Sequence, residues 1–210
     1  MNNEKAKEII DRLAETYPDA RPALKFGDNF QLLVAVILSA QCTDERVNKV
    51  TAELFKEYDT PEKMLTLTAE QLGEKIFSCG LYRSKAEHIL STCVDIAEKY
   101  GGKVPETLEE LRTLSGVGRK TANVVYSVGC GGDAIAVDTH VFRVSNRIGL
   151  ARAKNVYETE KQLMKRIEKS RWSASHHYLI FHGRRVCKAQ RPACKTCVLR
   201  DLCEYKDKNL

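Results

Sequence analysis

Leu114-Ser115-Gly116-Val117-Gly118-Arg119-Lys120-Thr121-Ala122 links two apolar helical stretches. Two glycines separated by one apolar residue permit a tight turn with positive φ and let the backbone approach a ligand closely. The amides that open the following helix then point outward with the helix dipole behind them, which suits one phosphate. Val117 at the tip is expected to pack back and fix the turn. The same pattern also describes a plain helix–turn–helix closed by a glycine cap, so the turn alone leaves both uses open.

Helical periodicity extends outward from this turn. Ile9, Ile10, Leu13 and Tyr17 share one face of a first helix that stops before Pro18. Phe30 to Ala40 is apolar nearly all round, which predicts a central buried helix. Val47, Val50 and Leu54 recur at helical spacing after Thr43. Thr68-x-x-Gln71 has the form of a capping box, and its helix is expected to end at Gly80. Ala86, Ile89, Leu90, Cys93, Val94 and Ala97 make an amphipathic stripe closed by Gly101-Gly102. Thr107-x-x-Glu110 opens a short helix with Leu108, Leu111 and Leu114 inward, and Asn155-x-x-Glu158 begins one carrying Leu163, Met164 and Ile167. Ala134 to Val137 has extended character but no partner strand. The fold class is all-α. One local echo stands out: Gly80-Leu81-Tyr82-Arg83-Ser84-Lys85-Ala86 and Gly116-Val117-Gly118-Arg119-Lys120-Thr121-Ala122 both run from glycine into a basic helix start.

With 210 residues, 43% of them hydrophobic and 30% charged, the chain suits a soluble globular protein and not a disordered one. The longest apolar run, Leu32 to Leu38, is too short to cross a bilayer, and no charged-then-apolar leader opens the sequence. A cytoplasmic protein of bacterial or archaeal type is expected, with no membrane partner. Eight cysteines in a reducing compartment point to metal or reactivity before disulfides. The net charge is +6, but Arg171 to Arg200 holds seven Lys or Arg and no acid, leaving about −1 for the remainder. Such one-sided charge suits a polyanion, although a merely solvated basic face has the same composition.

Cys187-x6-Cys194-x2-Cys197-x5-Cys203 is compact and lies inside that basic stretch. Zinc modules usually join two Cys-x-x-Cys knuckles, and only one such pair occurs here. Four thiolates in one short loop also wrap a cubane cluster, so both metals remain open on spacing. Lys188, Arg191 and Lys195 interleave with the cysteines, which suggests a basic finger for contact with a polyanion backbone. Cys42, Cys79, Cys93 and Cys130 are read as core residues.

These segments together resemble the endonuclease III family of DNA glycosylases, over essentially the whole chain. The family's hairpin reads Leu-Pro-Gly-Val-Gly, a basic pair and Thr-Ala; Ser115 stands where proline is common, predicting a less rigid turn. Leu38-Ser39-Ala40-Gln41-Cys42-Thr43-Asp44 is similar to the family's Leu-Ser-Ala-Gln-x-Thr-Asp, with Cys42 replacing a small residue. The cysteine spacing coincides with that of the family's cluster loop. The resemblance implies two helical lobes with a helix–hairpin–helix and a C-terminal iron–sulfur cluster loop. Residues 22–132 form the central lobe, with the hairpin at about 108–127; 1–21 plus 133–210 form the second, with the cluster loop at 187–203 and the active cleft between lobes.

It further implies that Lys120 is the nucleophile and Asp138 the catalytic carboxylate, that Gln41 and Leu81 fill the stack vacated by a flipped base, and that Cys187, Cys194, Cys197 and Cys203 hold a 4Fe-4S cluster. DNA contacts are expected from Gly116, Val117, Gly118, Arg119, Thr121, His140, Arg143, Arg184, Lys188, Arg191 and Lys195. The chemistry is consistent: only a primary amine forms a Schiff base with the sugar, and partial burial, Arg119 and a helix N-terminus would favour the neutral amine. Asp138 also reads as a plain helix N-cap, and Leu81 taken alone reads as a core leucine. The expected protein is a monomeric bifunctional glycosylase and AP lyase acting on double-stranded DNA with an oxidised pyrimidine or an abasic site. A pyrimidine-dimer or mismatch glycosylase, or a non-catalytic helix–hairpin–helix DNA-binding protein, are the alternatives.

Overall fold

The computed structural model describes residues 2–210, and every regular element among them is helical, with no strand. The chain divides into two compact units, Met1–Arg21 with Asp133–Leu210, and Pro22–Gly132. The first begins with α1 (Asn3–Thr16), whose Asn2 side chain accepts from the Lys5 amide and whose Ala6, Ile9, Ile10 and Leu13 are buried.

The unit Pro22–Gly132 is built around α2 (Asn29–Leu38), which is capped by Asp28 and buries eight of its ten residues. Each large aliphatic side chain so buried stabilises the fold by about 1.5–3 kcal/mol. Around it lie α3 (Asp44–Leu54), α4 (Pro61–Met64), α5 (Ala69–Lys75), α6 (Tyr82–Tyr100), α7 (Leu108–Leu111) and α8 (Arg119–Val124). Leu33, Ile76, Ile89, Leu111 and Ala122 fill the core. The capping box at Thr68 and Gln71 is present. Its helix stops at Lys75, short of the expected Gly80, because the chain tightens into a 3-10 turn at Phe77–Cys79. That pitch eclipses residues three apart and sends Ile76 and Cys79 inward together. On α6 the inward row is Ile89, Cys93 and Ile96; Val94, expected inside, lies 100° round the helix and is exposed.

In the other unit α1 is joined by α9 (Thr139–Ile148), α10 (Val156–Arg166) and α11 (Trp172–Arg185). Ile9, Leu13, Val141, Val144, Leu163, Leu179 and Leu199 make its core. Met164, expected inside, is exposed while Leu163 and Ile167 are buried. Ala134 to Val137 is a buried extended segment without a ladder, which delivers Asp138 to the start of α9. Arg12 of α1 donates to Val198 O at 3.1 Å and to Asp201 at 2.7 Å, tying the cysteine loop to the first helix. Cys79 and Cys93 are core residues as expected, whereas Cys42 and Cys130 are half-buried. No helix among the described residues is long and apolar enough to cross a membrane.

Candidate functional site

In the unit Pro22–Gly132 the glycine turn is anchored on α6. Gly116 has φ +77, and a Cβ there would stand 2.8 Å from His88 Cβ, so both backbone conformation and packing demand glycine. Ser115 is held at both ends: its N–H donates to Asp95 at 2.6 Å, and its carbonyl accepts from Thr92 at 2.6 Å. A proline could not make the first of these bonds, so the looser turn expected from its absence is not found. Val117 packs back and is buried. Gly118 caps α8 with φ −78 and has nothing within 4 Å of a would-be Cβ. No side chain makes a capping hydrogen bond at this helix start.

Lys120 lies on the first turn of α8 and is exposed, as is Arg119; Thr121 is half-buried. The partial burial expected of Lys120 is not found. Two further turns of this unit carry Gln41 and Leu81. Both are exposed and both are left-handed, at φ 53 and φ 48. For residues with a side chain that conformation costs of order 1–3 kcal/mol each and is found where the surroundings impose it. Leu81 is 58% exposed, so the core reading of this leucine does not hold. The echo between Gly80 and Gly116 is a shared positive φ that stops there: Leu81 follows the first into the left-handed region, while Val117 folds inward after the second.

The side chain beneath these turns lies within the Gly80–Ala86 echo, which gave it no role of its own. Lys85 of α6 is 3% exposed, and its ammonium donates to Leu38 O and Cys79 O, each at 2.8 Å. Burial pulls its pKa down, while the nearby Cys42 and Cys79 sulfurs oppose that shift. Helical spacing put Lys85 on the flank of an apolar stripe, where lysine is normally solvated.

In the second unit Asp138 is the N-cap of α9, its Oδ1 accepting from the Val141 amide at 2.7 Å. It is half-buried, and its second oxygen takes no hydrogen bond from the described residues. His140 is half-buried; burial holds it below the usual histidine range, Asp138 opposes this, and Arg143 and Arg184 add to it. Arg143 does not present an open guanidinium. Its Nε donates to Cys187 O at 3.1 Å, and its Nη2 meets Gly183 O at 3.0 Å and His140 Nδ1 at 3.1 Å. It is a strut of the cysteine loop. Arg184, Lys188, Arg191 and Lys195 are all exposed. Lys120 and Asp138 belong to different units.

All eight cysteines are unpaired thiols. Cys187, Cys194, Cys197 and Cys203 line one small cavity with Ile148, Val186 and Pro192, apolar walls that suit a desolvated inorganic core. Among the described residues no three His, Cys, Asp or Glu close on a single ion. Burial raises the Cys197 and Cys203 thiols, and the neighbouring cysteines add to it. Two nitrogens reach these sulfurs: Arg147 Nη1 donates to Cys187 Sγ at 3.7 Å, and His182 Nε2 meets Cys197 Sγ at 3.6 Å. His182 is fully buried, its pKa pushed down to about 4 by burial, and its Nδ1 meets the Tyr17 hydroxyl at 2.9 Å. Arg147 also grips Lys188 O at 2.6 Å and Ala189 O at 2.9 Å. Neither Arg147 nor His182 was singled out by sequence. Their only signal was a basic side chain on a helix preceding the cysteines.

Comparison with known proteins agrees with this geometry. A family model described as HhH-GPD superfamily base excision DNA repair protein matches residues 34–169. Endonuclease III of Haemophilus influenzae is 48% identical over 208 residues, covering 99% of each chain. Endonuclease III of Bacillus subtilis is 49% identical over 209 residues, covering 99% of this chain and 95% of its own. A solved structure of a trapped endonuclease III–DNA covalent intermediate superposes with a TM-score of 0.93 at 49% identity, over 97% of this chain and 96% of that one.

Proposed function

Because the chain belongs to the HhH-GPD superfamily of base excision DNA repair proteins, we propose that it removes oxidised pyrimidines from duplex DNA through Lys120. It is a bifunctional DNA glycosylase and AP lyase: its relatives are endonuclease III, and one of them has been caught covalently bound to DNA. The observation that carries the residue assignment is the place of Lys120, exposed on the first turn behind the Gly116–Gly118 hairpin. A phosphate seated at the Gly116–Gly118 hairpin would bring the adjoining sugar to that side chain.

The neutral Lys120 amine attacks C1′ of the flipped nucleotide and displaces the base. Once the attacking nitrogen has shed a proton, its lone pair breaks the C1′–O4′ bond, O4′ takes up a proton, and an iminium joins Nζ to the ring-opened sugar. Removal of a C2′ proton then expels the 3′ phosphate, and water releases the amine. Asp138, with one oxygen not engaged by the α9 cap, supports positive charge on the sugar and accepts a proton. Gln41 and Leu81, both exposed on strained turns, fill the vacated stack. Lys188, Arg191, Lys195 and Arg184 contact the DNA backbone.

Cys187, Cys194, Cys197 and Cys203 would hold a 4Fe-4S cluster. Four thiols spread round one apolar cavity suit a cubane, in which each binds its own iron. When bound, the cluster supplies a covalent staple for a loop that has only a short 3-10 turn of its own. The chain's part is to hold that loop through Arg143, Arg147 and Arg12.

Borohydride trapping on a thymine-glycol duplex tests the proposal. A covalent protein–DNA adduct is expected, and it must vanish in Lys120→Ala. An adduct that survives in that variant assigns the nucleophile elsewhere.

A further inference from the structure

Helix α2 ends at Leu38, and the 3-10 turn ends at Cys79. Helix ends leave carbonyls without an internal partner. In α2 most are met locally: Ser39 N–H reaches Ala35 O and Val36 O, and the Ser39 hydroxyl donates to Val36 O at 2.7 Å. The Leu38 and Cys79 carbonyls are met by neither turn. Among the described residues their one side-chain donor is Lys85, at 2.8 Å in both cases. A single buried ammonium thus closes two helix ends that are 41 residues apart in sequence. Gln41 follows the first by three residues, and Leu81 follows the second by two.

Burying an ammonium is expensive, and an apolar residue of the same length would spare that cost. The chain keeps a lysine beside Ala86, Ile89 and Cys93 on the buried side of α6, which also takes in Thr92 and Asp95. What an apolar residue could not do is bridge two carbonyls on separate segments. The left-handed backbone of Gln41 and of Leu81 shows that neither turn rests in its relaxed form. Each is held from its root, and the roots share Lys85.

The geometry points to Lys85 as a positioning residue that fixes the spacing of the Gln41 and Leu81 turns, so that the two enter a DNA stack as one unit. This rests on the reading of Gln41 and Leu81 as wedges. Lys85 touches neither DNA nor the reacting atoms. It acts through the backbone of the two turns, and a misplacement of about an ångström in such positioning is enough to cost roughly 100-fold in rate.

A double-mutant cycle on the full-length, cluster-loaded protein tests this. Single-turnover excision of a thymine-glycol duplex is measured for the parent, for Lys85→Met, for Gln41→Ala/Leu81→Ala, and for the triple variant. Lys85→Met is expected to slow excision roughly 10–100-fold and to speed hydrogen exchange at the amides of 39–43 and 79–82 together. In the Gln41→Ala/Leu81→Ala background it is expected to add less than about twofold, because the residues it serves are gone. Should Lys85→Met fail to fold, Lys85→Arg keeps the charge but its planar head bridges the carbonyls at another spacing, and the same non-additive loss is expected. Full additivity in the wedge-less background, or a parental rate in whichever variant folds, overturns the assignment. A parental rate in Gln41→Ala/Leu81→Ala alone overturns the wedge reading instead, so the two failures are distinguishable.

Discussion

The Ser115 backbone N–H donates to the Asp95 carboxylate at 2.6 Å, fastening the first residue of the glycine turn to the middle of α6. Asp95 is almost fully buried and also bonds Lys99 at 2.5 Å. Proline is the common residue at this place in the family that the turn resembles, yet here it would remove the donor. Ser115→Pro is therefore expected to destabilise the protein by about 1–3 kcal/mol, the cost of a lost bond to a buried charge. Urea unfolding measures it, and a stabilised Ser115→Pro variant would show that ring rigidity outweighs the bond.

The same pair makes the hairpin sensitive to acid. The Lys99 ammonium, and then the Ser115 amide, hold the Asp95 carboxyl below the ordinary carboxylate range. A depressed folded value means that the stabilisation is complete above the unfolded pKa of about 3.9 and is lost as pH falls through the lower folded value. Hydrogen exchange at residues 114–118 is expected to quicken as pH falls below about 4, after correction for intrinsic exchange. Asp95→Asn should flatten that dependence, and an unchanged profile would contradict it.

Asp138 caps α9, and one substitution separates that cap from the chemical role proposed for it. Asn keeps a cap oxygen for the Val141 amide, so Asp138→Asn should melt within about 0.5 kcal/mol of the parent. Losing the negative charge is expected to slow base release by roughly 10²–10⁴-fold with DNA binding little changed. Unchanged single-turnover excision removes Asp138 from the chemistry.

The basic finger should be legible in salt. Replacing Lys188, Arg191 and Lys195 with alanine is expected to flatten the slope of log affinity against log salt by roughly 0.9 for each phosphate that is no longer neutralised. A triple variant with the parental slope would place these exposed side chains away from the DNA.

His182 meets Tyr17 on one side and Cys197 on the other. A sulfur bound to iron can only accept, so the ring then donates through Nε2 and accepts from the Tyr17 hydroxyl. His182→Leu is expected to lower the cluster's reduction potential, since hydrogen bonds to the sulfurs help to set it. Voltammetry on the loaded protein with its visible absorption retained is the measurement; an unmoved potential excludes the bond.

The helices, the cysteine loop and the hairpin were legible because each carries a local signature: periodicity, spacing, or a glycine pair. Thr68 with Gln71 and Asn155 with Glu158 announced their helix starts for the same reason. What sequence hid were groups whose role comes from a distant partner. Lys85 looks like any lysine until Leu38 and Cys79 are folded against it. Nothing near Arg143 in sequence shows the Gly183 and Cys187 carbonyls it holds. The exposure of Lys120 was missed because a motif names a position and not its solvent.

Gly116 and Gly118 are one residue apart and answer to different constraints. At Gly116 a methyl group would collide with His88, whereas at Gly118 it would meet nothing and the backbone is in an ordinary region. In a saturation library sorted only for folded protein, position 116 should stay glycine while position 118 drifts freely. Sorted for survival under oxidative DNA damage, both should be retained. The divergence between those two libraries would mark the part of the turn whose shape is dictated by something outside the polypeptide.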